Sequence, residues 1–371
     1  MHSVSTFSSG ANTRICVSAP GRICLFGEHQ DYLHLPVITA AINRRVAVCA
    51  SPIPEREIRL ALPDIDSQEW FQFNDEEVPY QRERDYFRSA FNVLRREGYS
   101  LTHGLLGEVH GTIPINSGTS SSSALIVAWI RLLSEFSASG GIRQPEEVAR
   151  LAHQAEVAEF NEPGGMMDHY ACSVGGVLFQ AFDSRFTVSP LPDIKGAFVL
   201  GDSLEPKDTR AILARVRGII QRGVERLRTI WPGFSLHTTT VAEVQPYLSQ
   251  LPDQEAAYVK AALENRDLTY RGQVLLRQRP LDDRRLGQLL NAQQALLRNV
   301  FQISTPKIDA MLQAALDAGA YGGKINGSGG GGCMFVYAPE NPQKVAKAIE
   351  KAGGKAYIIH IDVGVKVEQK R

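Results

Sequence analysis

The sequence predicts an α+β protein built in two halves, and three observations carry that reading. The first half interleaves short β-branched runs with amphipathic helical patterns. The second half is dominated by helical patterns that finish in short strands. Between them, near Leu191–Lys195 ("LPDIK"), the texture changes, which sets expected domains at residues 1–190 and 191–371. A chain of 371 residues is long enough for two cores of that kind.

Each element has its own signal. Residues 14–50 read as strands around a sharp turn, because apolar residues cluster about "PGR" and "GEHQDY". Phe87, Phe91 and Leu94 recur at helical spacing and predict a helix over 84–97. "LLGEVHGTI" then alternates as a strand, and helices are expected at Ser121–Phe136 and Pro145–Phe160, with Pro145 suited to a first turn. "GGVLFQAFDS" and "GAFVLGDS" read as strands. Asp208 is a good N-cap for the stripe Ile212, Val216, Ile219, Ile220 and Val224, whose opposing arginines read as a solvated face. Further helices are expected around 253–264, 284–299 and 306–318, and strands at 333–338 and 355–362.

Composition narrows the function. Hydrophobic residues make up 43% and charged residues 22%, as in a globular protein. Lys+Arg and Asp+Glu are both 40, so no net field argues for nucleic acid or an anionic membrane. The N-terminal stretch lacks a signal peptide's apolar segment, and no run approaches the roughly 20 apolar residues of a membrane span. A cytoplasmic protein is expected. Cys16, Cys24 and Cys49 sit in apolar, strand-like contexts and no CxxC spacing occurs, which reads as reduced core cysteine.

Four stretches could carry chemistry. In "IPINSGTSSSSALIVAWI" a small-residue turn and four serines run straight into an apolar helix. That is either a linker with an N-cap, or a phosphate cradle made of free amides, hydroxyls and the helix dipole. It is not a Walker A loop, since no Gly-Lys-Ser/Thr follows. In "GGKINGSGGGGCMFVY", four consecutive glycines cost more chain entropy than a turn needs, which suggests close backbone approach; a flexible loop is the alternative. In "APGRICLFGEHQDY", Arg22, Glu28, His29 and Asp31 converge in an apolar region, as a salt-bridge cluster or as a polar ligand site. In "HQAEVAEFNEPGGMMDHYACSVGG", Glu156 borders an apolar stripe and Asp168 sits in a near-apolar run, so each is paired or functional. Glu159 and Glu162 read as ordinary surface acids.

Taken in order, these stretches resemble the GHMP family of small-molecule kinases: galactokinase, homoserine kinase, mevalonate kinase and phosphomevalonate kinase. "PGRICLFGEHQDY" resembles the galactokinase opening motif, "PINSGTSSSSA" the phosphate-loop motif, and "GGKINGSGGGGC" the glycine-rich third motif. "AE" at 155–156 and "MMDHY" at 166–170 resemble the galactokinase segment between them. The resemblance spans roughly Ala19 to Tyr337. It implies a ribosomal-protein-like N-terminal domain, a ferredoxin-like C-terminal domain and an active site between them.

It also implies roles. Asn116, Ser117, Gly118, Thr119, Ser120, Ser121 and Ser122 would wrap the ATP phosphates, and Ser122 with Glu156 would hold Mg²⁺. Asp168 would take the proton of the attacking hydroxyl, and Arg22 would keep Asp168 ionised. Glu28, His29, Asp31 and Gly165 would bind sugar hydroxyls, and Gly329, Gly330 and Gly331 would buttress the nucleotide site. The implied activity is ATP-dependent phosphorylation of the anomeric C1 hydroxyl of a galactose-like hexose or uronic acid, by a monomer or weak homodimer that binds neither nucleic acid nor membrane.

Departures keep the acceptor open. The Tyr-Asn-x-Arg-Arg pattern of galactokinases is missing, and "DTRAILARVR" resembles a mevalonate-kinase segment instead. A mevalonate-kinase-like enzyme, or a sugar and ATP sensor without turnover, are the alternatives. Lys207 and Arg210 read as solvated, with contact to an acidic sugar as the other reading.

Overall fold

A computed structural model describes residues 13–114, 118–182 and 185–370. Its order is β1 (Ile15–Phe26), β2 (Val37–Ile53), β3 (Glu57–Leu62), β4 (Ser67–Gln72), α1 (Tyr86–Arg96), β5 (Gly104–Gly111), α2 (Ser121–Phe136), α3 (Pro145–His153), α4 (Met167–Val174), β6 (Val177–Phe182) and β7 (Phe186–Leu191). The second part holds β8 (Phe198–Asp202), α5 (Thr209–Ile230), α6 (Val241–Leu248), α7 (Asp253–Arg277), α8 (Asp283–Asn299) and α9 (Pro306–Asp317). It closes with β9 (Gly322–Ile325), β10 (Cys333–Tyr337), α10 (Pro342–Lys351), β11 (Lys355–Ile359) and β12 (Lys366–Lys370).

The larger sheet runs β12-β1-β2-β5-β3-β4, with β6 joined to β2 and β7 to β6. The 17-residue β2 makes this possible: Val37–Ala40 pairs with β6, and Val46–Ile53 pairs with β5. Its first six residues are all buried, whereas its second half alternates, as a strand covered on both faces and then on one should. The smaller sheet is antiparallel in the order β11-β8-β10-β9, the ferredoxin-like arrangement.

Helix α2 packs on β1 and β2. Its Trp129 is 1% exposed and donates Nε1–H to the Phe87 carbonyl at 3.2 Å. Truncating such a side chain costs about 3–5 kcal/mol, so the serine-rich end of α2 is firmly seated. A further buried cluster joins Ile23, Leu25 and Ile38 of the larger sheet to Phe198, Leu200 and Phe335 of the smaller one. This shared apolar layer sets the two sheets against each other and fixes the geometry of the cleft they bound.

Three expectations change. Cys16 and Cys49 stand directly opposite each other on β1 and β2 and form a disulfide. Residues 33 apart in sequence become partners through strand register, which local spacing does not reveal. Strands β3 and β4, and helices α6 and α10, are additional to the sequence reading. Finally, the larger sheet ends at Leu191, but β12 crosses back to pair with β1, so the C-terminal tail belongs structurally with the first half. Among the described residues no helix is long and apolar enough to cross a membrane.

Candidate active site

The loops that follow β1, precede α2 and follow β9 converge with the segment before α4 on a cavity of about 240 Å³. Arg22, His29, Asp31, Gly118, Ser120, Ser121, Ser122, Glu156, Gly165 and Asp168 all line it. Asn116 and Ser117 lie outside the described residues.

Arg22 is the hub. It projects from β1, nearly fully buried, and its Nε and Nη2 donate to Asp168 Oδ1 and Oδ2 at 2.7 and 2.8 Å. Such a two-pronged fork fixes the carboxylate plane as well as its charge. The Arg22 Nη1 donates to the Gly118 carbonyl, and its backbone N–H donates to the Thr119 carbonyl at 3.2 Å. One residue thereby sets Asp168 relative to the loop before α2.

That loop enters its helix by an unusual route. Ser120 has φ 61° and ψ 42°, a left-handed conformation that non-glycine residues adopt at a cost, and its buried hydroxyl has no hydrogen-bond partner among the described residues. Gly118 has φ 86°, and a Cβ there would come within 2.7 Å of Lys207 Nζ and 2.9 Å of the Asn326 carbonyl. The turn therefore holds its backbone tight against the β9–β10 loop and opens its helix end to the cavity, where anions are favoured. Thr119 is buried behind the wall.

Glu156 arrives on a π-helical turn, Gln154–Ala158, that continues α3. Widened turns of this kind commonly reposition a functional side chain. Burial opposes the Glu156 charge, but His169, Ser122 and Ser123 outweigh it by hydrogen bonding, and its carboxyl sits below its ordinary value. His169 Nε2 lies 2.8 Å from Oε2. An ionised carboxylate beside a hydroxyl at a helix N-terminus is a donor set that fits Mg²⁺, which takes few protein ligands and completes its shell with phosphate and water.

Asp31 and Gly165 form the far end. A Cβ on Gly165 would fall 2.0 Å from Asp31 Oδ2, so only glycine allows this approach. Burial, and then the charge of Asp168, push the Asp31 carboxyl up to about 6. His29, at φ 63°, has Nε2 3.0 Å from the Ser328 carbonyl and Nδ1 2.6 Å from the Tyr32 hydroxyl. A carbonyl only accepts, so Nε2 carries the proton and Tyr32 donates to Nδ1. Burial lowers the His29 pKa to about 4, which keeps the ring neutral. Both ring nitrogens are thus engaged: Nε2 ties the first motif to the third, and Nδ1 is held within the first motif by Tyr32.

Other expectations are corrected. Glu28 does not reach the cavity: it is fully buried and pairs with the equally buried Lys324 of β9. Gly329, Gly330 and Gly331 lie one layer behind the wall, packed on Ile303, on Ile212 and on the Glu205–Pro206 carbonyls. The cavity is reached instead by Gly327 and Ser328, and the buttress is Asn326, whose Nδ2 donates to the Gly118 carbonyl at 2.8 Å. Glu162 is no free surface acid and Arg210 is not merely solvated. Both line the cavity, and Glu162 forms ion pairs with both Arg210 and Arg84. Lys207 donates to Ser328 Oγ at 3.1 Å, and burial, followed by the Arg22 charge, lowers its pKa to about 8. Tyr32, Arg84, Tyr86 and Thr209 complete the residues missed; the "DTR" at 208–210 was the available signal for two of the cavity residues.

Residues 85–176 match the GHMP kinases N terminal domain, residues 274–356 match the GHMP kinases C terminal domain, and residues 5–52 match the galactokinase galactose-binding signature. The chain belongs to the GHMP kinase family. As such it is an ATP-dependent phosphotransferase acting on a small molecule. Among relatives of this GHMP kinase, the mevalonate kinase of Pyrococcus furiosus is 29% identical over 365 residues, covering 96% of this chain and 99% of its own. The galactokinase of a Roseiflexus species is 26% identical over 366 residues, covering 95% and 92%. In fold, the chain superposes on the Lactococcus lactis galactokinase complexed with galactose with a TM-score of 0.83, at 20% identity and 95% coverage of each chain. The Methanococcus jannaschii mevalonate kinase gives 0.72 at 17% identity, covering 95% of this chain and 99% of its own.

Proposed function

We propose that this GHMP kinase transfers the γ-phosphoryl group of ATP to the C1 hydroxyl of a galactose-like hexose or uronic acid. The observation that carries the reading is the pair of carboxylates in the cavity. Asp168 is locked by Arg22, and Asp31 lies close enough to feel the Asp168 charge. Two acceptor groups facing one space suit a substrate with several hydroxyl donors. The match of residues 5–52 to a galactose-binding signature supports the same choice.

In this reading Asp168 takes the C1 hydroxyl proton as the oxygen bonds to the γ-phosphorus, and the bond to the β-phosphate oxygen breaks to release ADP. Arg22 holds the carboxylate aimed through its two-pronged hydrogen bond. The amides and hydroxyls at Gly118–Ser122 and the Lys207 ammonium neutralise charge on the transferring group. Ser122 and Glu156 would hold Mg²⁺, which would supply neutralisation of phosphate charge. Most of the rate enhancement then comes from alignment and electrostatics. ATP supply suits a cytoplasmic setting.

One observation favours a second acceptor. Arg210, within the segment that resembles mevalonate kinases, and Lys207 just before it put cations on the cavity wall that a carboxylate-bearing alcohol could use. The deciding experiment is ADP release with Mg-ATP across galactose, glucose, galacturonate, glucuronate, arabinose, fucose, N-acetylhexosamines and mevalonate, with ³¹P NMR of any product. A sugar 1-phosphate supports the proposal; phosphomevalonate overturns it.

A further inference from the structure

One cluster on the cavity wall has no part in the mechanism above. Arg84 precedes α1, Glu162 precedes α4 and Arg210 stands in the first turn of α5, so three distant segments meet there. Arg84 Nε and Nη2 donate to Glu162 Oε1 and Oε2 at 2.8 and 2.7 Å, and Arg210 Nη2 lies 2.9 Å from Oε1. The second contact of Arg210, Nη1 to Glu83 at 3.6 Å, involves an acid 86% exposed and hence well screened. Two guanidiniums thus share one carboxylate whose side chain is only 9% exposed, while the other acids that act on them, Glu83 and Glu156, do so at longer range. Arg84 is doubly committed. Arg210 is held by one short contact, which leaves most of its five N–H donors available.

Position tells what these cations meet. Glu156 acts electrostatically on Arg84 and on the neighbouring Tyr86, whereas Asp31 and Gly165 sit against Asp168 at the other end. The cluster therefore flanks the phosphate end of the cavity, beside the serine end of α2. Arg84 is also held at φ 54°, a conformation retained only where its surroundings enforce it.

We propose that Arg84 and Arg210, set in place by Glu162, form a polyphosphate clamp, so that the nucleotide phosphates lie between the N-terminus of α2 and two guanidiniums drawn from both halves of the chain. This rests on the ATP-kinase reading. Glu162 is a positioning residue in it, and Arg210 is the mobile arm that exchanges a carboxylate for phosphate oxygens.

The test is calorimetric binding of MgADP to wild type and to Arg210→Gln, Arg84→Gln and Glu162→Gln, with KM for ATP and for the acceptor measured separately. Arg210→Gln should weaken MgADP about tenfold and raise KM for ATP alike, with the acceptor KM within about twofold. Arg210→Lys should restore part of the loss, since it keeps the charge without the fork. The wild-type affinity should also fall more steeply with salt than that of Arg210→Gln. Should Arg84→Gln fail to fold, the half-exposed Arg210 carries the test alone. Unchanged MgADP binding in Arg210→Gln, or a raised acceptor KM with normal nucleotide binding, overturns the clamp and leaves the kinase reading intact. A wild type that binds no MgADP overturns the kinase reading and the clamp with it.

Discussion

Asp168 and Lys207 illustrate how single residues decide this site. Both Arg22 prongs fix the Asp168 carboxylate, and on the proposed reading it is the base, so Asp168→Ala should leave ATP binding nearly intact and lower kcat by about 10²–10⁴-fold. Near-wild-type turnover in that variant would remove the base assignment. Two groups with shifted pKa values bracket the pH profile. Lys207, lowered to about 8, loses its charge above that pH, so kcat/KM for ATP should decline there, and Lys207→Arg should move the decline upward. Asp31, raised to about 6, gains a proton below that pH and loses an acceptor, so kcat/KM for the phosphoryl-accepting substrate should fall on the acid side. For stability the sign is opposite. Between 3.8 and about 6 the folded chain keeps a proton the unfolded chain gives up, so Asp31 alone makes the fold less stable as pH rises through that window. Steady-state profiles for each substrate, in wild type and the two variants Lys207→Arg and Asp31→Asn, check these limbs.

At the scale of elements, the turn into α2 and the β9–β10 loop are one unit. Gly118 is the contact point, with its carbonyl taken by Arg22 and Asn326 and no room for a Cβ against the Asn326 carbonyl. Gly118→Ala should force both segments apart, raising KM for ATP by about tenfold or more and lowering the melting temperature by a few degrees, because the added Cβ is both crowded and held at positive φ. A loss confined to acceptor binding would contradict the placement of the phosphates at this turn. The helix at Ser121–Phe136 and the Asp208 cap were legible in the sequence, since apolar period and cap residues are local signals. The role of the glycine run was not. Its glycines have left-handed φ values to pass between Ile303 and Ile212, and only the packed loop reveals that Gly327 and Ser328 are the ones that face the cavity.

Across the whole molecule, the Glu28–Lys324 pair joins the loop after β1 to β9 with neither side chain exposed. Removing one partner strands the other in a medium of low polarity, so Lys324→Met should destabilise the fold by about 3 kcal/mol. Burial already raises the Glu28 pKa, and without Lys324 it would take up a proton; the deficit should therefore be smaller at pH 5 than at pH 8. Denaturant unfolding at both pH values measures this. Equal stability of the variant and wild type would mean that the pair contributes nothing net. The return of β12 to β1 and the apolar layer shared by the two sheets make the halves interdependent, so Lys324→Met should also reduce kcat.

What the sequence determined by itself were the features written in local pattern: α+β character, the serine-to-helix turn, and the order of motifs that identifies a phosphotransferase family. Arg22, Asp31, Glu156, Gly165 and Asp168 were legible because charged or glycine residues in apolar runs stand out. Tertiary structure alone decided which polar groups face the cavity and which pair behind it. It sent Glu28 to Lys324, brought Arg84, Glu162 and Arg210 together, and bonded Cys16 to Cys49. Those outcomes depend on strand register and on where loops distant in sequence meet, and a one-residue change of register would place each side chain on the opposite face.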